Sequence, residues 1–169
     1  TTADSNTAVG RDALTATTTG NLNVAIGDYA MSSSTTADRN VAVGSNAMSS
    51  LSADGDSHNV AVGFRAAQNS TTAVQFTALG SDTLTAQTTA NYNVAIGYLS
   101  GSALTTGGQN TSVGRASLSA NVTGGSNTVM GYNAYRLGND GSNNVAIGND
   151  ALEDNTASNN TAVGYFALK

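Results

Sequence analysis

Hydrophobic and polar residues alternate along this chain in one short motif that keeps returning. "NVAIG" stands at 23–27, 93–97 and 144–148, "NVAVG" at 40–44 and 59–63, and "NTAVG" at 6–10 and 160–164. Inside the motif, Val, Ile or Thr alternates with Asn, Ala and Gly, the period-two pattern of a strand. The closing glycines are Gly10, Gly27, Gly44, Gly63, Gly80, Gly97, Gly114, Gly131, Gly148 and Gly164, at intervals of 17, 17, 19, 17, 17, 17, 17, 17 and 16. A fixed short period of this kind marks a solenoid, a one-dimensional array with no interior domain boundary. A helix is excluded, because the apolar positions do not follow a 3.6 period and β-branched residues crowd the segment.

Aligning the repeats on the glycine gives each position a direction. Val or Thr stands three before it and Val, Ile, Leu or Met directly before it, so the two share one strand face. Because β-branched residues suit a buried pleated surface, this face is expected to be the interior. Asn, Ala and Gly then point outward. Small residues ten after the marker (Gly20, Ala37, Ala73, Ala90, Gly107, Gly124, Gly141, Ser158) suggest a tight turn, and Gly, Asn, Ser and Thr fill the connections. Two short strands and two turns fit one coil. The expected fold is all-β: a parallel β-solenoid of about ten 17-residue coils over residues 1–169, a single repeat-built domain. Stacked at about 4.8 Å, such coils make a rod roughly 45–50 Å long.

A thin roll has few inward apolar groups per coil, and an outward ladder of Ala flanked by Gly invites another backbone to approach. On this reading Ala8, Ala25, Ala42, Ala61, Ala78, Ala95, Ala146 and Ala162 form the interface of a homotrimer.

The unit N-(V/T)-A-(V/I)-G-x-x-A-(L/M), seen in "NVAIGDYAM", "NVAVGSNAM" and "NTAVGYFAL", resembles the head repeats of YadA-like trimeric autotransporter adhesins. It is equally similar to phage tail-fibre "NTAVGxxAL…TTGxxN" repeats, whose spacing "ATTTGNLN" at 16–23 matches better. The resemblance implies a left-handed β-roll, three chains side by side, and a piece of a longer fibre at a cell or virion surface that supports attachment to a host glycan or protein receptor.

Composition changes the picture in two ways. Charged residues are only 10% and the net charge is −5, with Lys169 as the lone lysine, so clustered cations for nucleic acid are missing. No run of about 18 apolar residues suggests membrane insertion. One histidine (His58), one glutamate (Glu153) and no cysteine leave no triad, thiolate or positioned carboxylate pair, so no catalytic, cofactor or metal site is expected. The 19-residue interval places an insertion in "SADGDSHN" at 52–59, where Asp54, Asp56 and Ser57 offer oxygens to Ca²⁺. The calcium-loop pattern is otherwise absent, and the segment reads as a solvated turn. Surface-contact candidates are Asp54, Asp56, His58, Arg65, Tyr98 and Tyr132. The Asn column is expected to hydrogen-bond along the rod, with glycan binding as its alternative use. "TT" pairs at 18–19, 35–36, 71–72, 88–89 and 105–106 make a Thr ladder, which leaves an ice-binding solenoid as the alternative function.

Overall fold

A computed structural model describes residues 2–169. Each coil contributes one three-residue strand: β1 (Thr7–Val9), β2 (Val24–Ile26), β4 (Val41–Val43), β6 (Val60–Val62), β7 (Thr77–Leu79), β8 (Val94–Ile96), β9 (Thr111–Val113), β10 (Thr128–Met130), β11 (Val145–Ile147) and β12 (Thr161–Val163). They pair in parallel and in unbroken register, Ala25 beside Ala42 beside Ala61, as one ten-stranded sheet. The solenoid and its period are therefore as the sequence suggested.

The second strand of each coil is a correction. Among the described residues only β3 (Ala37–Asp38) and β5 (Gly55–Asp56) pair on the far side, next to the insertion. Elsewhere that side runs as turns, held by single hydrogen bonds such as Thr88 N–H to the Thr105 carbonyl at 3.0 Å. Positive φ at non-glycine residues recurs at the same three places in the coils, on either side of the main strand, for example at Leu22, Tyr29 and Met31.

The direction of the strand faces is a second correction. Alternation holds, but its sense is inverted: Ala95 is 1% exposed and Ile96 is 37% exposed. Ala25, Ala42, Ala61, Ala78, Ala146 and Ala162 are likewise buried, while Ala8, in the first coil, is exposed. The proposed alanine interface thus lies inside the roll. The physical reason is width. The arc after each glycine already sends Ala30 and Met31, or Ala151 and Leu152, into the same narrow interior, so the strand contributes a small side chain opposite them, alanine in most coils and Ser112 or Val129 in two.

Asparagine completes the interior. In coil after coil its side chain accepts from the next asparagine's backbone, as in Asn110 N–H to Asn93 Oδ1 at 2.9 Å. Its amide donates across the coil to the small residue fourteen positions on, as from Asn23 to the Ala37 carbonyl at 2.7 Å. The ladder expected on the outside is the polar core. The small residues ten after the marker are buried except Ser158 in the last coils, and Gly20 is small because a Cβ there would lie 2.5 Å from the Ala37 carbonyl oxygen.

Exceptions to the columns compensate locally. Phe76 replaces Asn and is buried, so Asn93 turns its amide to the buried Gln87 Oε1 at 3.0 Å. Ser112 replaces Ala and joins Ser100 and Ser117 in a buried hydroxyl cluster, with Oγ separations of 2.8, 3.1 and 2.7 Å. Gly101 stands where most coils carry Leu or Met, and Leu84 and Leu104 close over it.

The marker glycines are set by two constraints at once. Gly27 has φ +136°, and a Cβ on it would lie 2.5 Å from the Gly44 carbonyl oxygen of the next coil.

Candidate functional site

With alanine inside, the outer face of the ten-stranded sheet carries the β-branched columns. Val24, Val41, Val60, Val94 and Val145 are half-buried along one line, and Ile26, Val62, Ile96, Met130 and Ile147 stand exposed along the other. A solvated sheet face normally carries charged or large polar groups. This one carries no charged residue: its exposed line is aliphatic, and Thr7, Thr77, Thr111, Thr128 and Thr161 stand among the valines of the other line.

The turn just past the strands stacks cations against aromatic rings, one coil away or, at Arg65, next in the chain. Arg11 reaches Asp28 through two bonds of 2.8 and 2.9 Å and lies 4.8 Å from the Tyr29 ring centroid. That pairing holds the Asp28 carboxyl below its ordinary range. Arg65 pairs with Asp82 at 2.6 Å while covering its neighbour Phe64 at 4.8 Å. Tyr98, Arg115 and Tyr132 form a three-coil ladder, with the guanidinium 5.8 Å from the first ring and 5.3 Å from the second. Among the described residues Arg115 is the arginine without a carboxylate partner. The structure thus joins Tyr98 to Tyr132 through Arg115. The sequence reading named the two tyrosines and missed the arginine, although all three share one column at intervals of 17.

The insertion is a braced surface loop. Asp54 accepts from Thr36 Oγ1 at 2.6 Å, Asp56 pairs with Arg39, and Ser57 is buried with its hydroxyl on the Gly55 carbonyl at 3.1 Å. Asp54 and Asp56 each face a different partner and do not converge. His58 is exposed beside them, with φ +53°. Among the described residues no three His, Cys, Asp or Glu side chains gather as metal ligands.

Thr71, Thr88 and Thr105 donate their hydroxyls to the Thr88, Thr105 and Val122 carbonyls at 3.1, 3.2 and 3.2 Å. The second threonines, Thr72, Thr89 and Thr106, point to solvent. Beside them lies an open trough of about 370 Å³, bounded by Asn91, Tyr92, Gly108, Gln109, Gly125 and Ser126. Sequence reasoning missed it, although the doubled glycines in "TTGGQN" and "VTGGSN" were its visible signal.

Glu153 lies far from His58 along the rod, nearly buried between Arg136 and Lys169, with contacts of 2.5 and 2.7 Å. Lys169 first, then Arg136, hold its carboxyl below the usual value. It is a structural ion cluster at the last coils. Among the described residues no helix is long and apolar enough to cross a membrane.

Compared with protein-family models, curated proteins and solved structures, the chain matches none of them.

Proposed function

We propose that the chain is a passive segment of a trimeric fibre at a cell or virion surface. Three rods lie side by side through the outer face of the ten-stranded sheet, and the remaining faces support or make contact with a host receptor. The observation that carries this reading is the aliphatic line on that outer face. An aliphatic residue holds this line in every coil, exposed at Ile26, Val62, Ile96, Met130 and Ile147, with valine or threonine beside it, and the repeat suits a partner with the same repeat. The interface therefore consists of Val and Ile rather than the alanines. The motif resemblance supports the same assembly.

Chemistry is absent from this role. The ionisable groups with displaced pKa values are engaged in ion pairs, backbone hydrogen bonds or packing, as at Asp28, Asp140, Glu153 and Tyr135. The test is adhesion: fluorescent protein is incubated with candidate host cells in parallel with a polysaccharide-hydrolysis assay. Saturable binding without turnover is the expected result. Turnover that survives loss of His58 and Glu153, or strong inhibition of ice recrystallisation that depends on Thr72, Thr89 and Thr106, would overturn it.

A further inference from the structure

We infer that the trough beside Tyr92 is a saccharide subsite, and that it accepts a sugar bearing a carbonyl oxygen, such as an N-acetyl group. Six residues before each marker glycine, an oxygen-bearing side chain usually caps the backbone N–H of the coil before it. Asp4 N–H donates to Asn21 Oδ1 at 2.7 Å, Asn21 N–H to Asp38 Oδ1 at 2.6 Å, and Val74 N–H to Asn91 Oδ1 at 2.9 Å. The pattern resumes with Gly125 N–H to Ser142 Oγ at 3.1 Å and Ser142 N–H to Ser158 Oγ at 2.9 Å. Between these stretches the column holds Gly108 and then Gly125, which have no side chain to accept. The N–H groups of Asn91 and Gly108 are therefore without a side-chain cap, one coil apart, and both residues line the trough.

Three features of the wall select the ligand. Tyr92 is 53% exposed and presents a ring on which a pyranose face can stack. Thr89 and Thr106 stand along the rim with outward side chains, offering hydroxyls to sugar oxygens. The two donors are backbone amides, whose best partner is an amide-like carbonyl. No lysine, arginine or carboxylate lines the trough, which favours a neutral ligand over a charged one. The glycines also keep the floor low, since a Cβ on Gly108 would lie 2.8 Å from the Asn91 carbonyl oxygen. This subsite is independent of the interface on the sheet face, so it can fail while the fibre reading stands.

The experiment is a ¹H–¹⁵N titration of the intact protein with N,N′,N″-triacetylchitotriose, with maltotriose as the sugar lacking N-acetyl groups. The expected result is saturable shifts at Asn91, Tyr92 and Gly108 with the acetylated trimer, at millimolar or tighter affinity, and clearly weaker shifts with maltotriose. Tyr92→Ala, which removes an exposed ring, should weaken binding about tenfold. The absence of saturable shifts at these amides, equal response to both sugars, or binding indifferent to Tyr92→Ala would each overturn the assignment.

Discussion

The backbone N–H of Asn40 donates to Oδ1 of Asn23 at 3.0 Å, and Asn59 repeats the same bond onto Asn40 at 3.0 Å. Because both ends are buried, this asparagine column acts as a hydrogen-bonded spine that sets coil spacing from within. Asn40→Ala should leave the Asn59 N–H buried without its acceptor, at a cost of about 2–3 kcal/mol. Chemical denaturation checks the magnitude. Hydrogen exchange should locate the loss in the coils of β2, β4 and β6, since repeat arrays pass instability to neighbours.

The two strand faces make opposite predictions for adjacent residues. Ala95→Asp puts an unpaired carboxylate in the interior and should unfold the central coils, a loss of several kcal/mol. Ile96→Asp places the same group on the outer face and should keep the β circular-dichroism signal, because substitutions on a strand's exposed face span about 1 kcal/mol. Equal damage from both would reject the assigned faces.

Glycine positions can be separated in the same way. Gly80→Ala meets φ +131° and a Gly97 carbonyl carbon 2.8 Å from the new Cβ, so it should cost about 3 kcal/mol. Gly55→Ala meets φ +68° with nothing within 4 Å and should cost only about 1 kcal/mol. Thermal melts of the two variants give the comparison.

Acid should loosen the end of the rod at Glu153. Its carboxyl is held below the ordinary 4.5 by hydrogen bonds from Lys169 and Arg136. A depressed folded value means the contribution is complete above the ordinary value and is lost as pH falls through the folded one. The melting temperature should therefore drop as pH is lowered below about 4.5, and Glu153→Gln should flatten that dependence. At the other extreme, burial raises the Tyr135 hydroxyl, so stability should fall above about pH 10, and less so in Tyr135→Phe.

The period, the parallel register and the glycine markers were legible because each is a property of spacing, and stacking turns spacing directly into structure. The sense of the strand faces was not. β-Branched residues favour a pleated surface on either side of a sheet, so Val24 and Ile26 carry no sign of inside or outside. The deciding fact was the arc at Ala30 and Met31, which fills the interior from the opposite wall. Similarly, Asn looked like an outward residue until the Ala37 carbonyl was seen to receive its amide across the coil. The Tyr98–Arg115–Tyr132 ladder and the Gly108–Gly125 trough were recoverable from the sequence by reading columns at 17, but only side-chain geometry shows that each forms one unit.

The fibre account stands on the aliphatic line of the sheet's outer face, and native mass spectrometry of the intact protein tests it most directly. The account predicts a particle of three chains that splits when Ile26, Ile96 and Ile147 are together changed to Lys, residues that are exposed on one line in the single chain. A folded monomer at micromolar concentration, or a trimer that ignores all three substitutions, would contradict it.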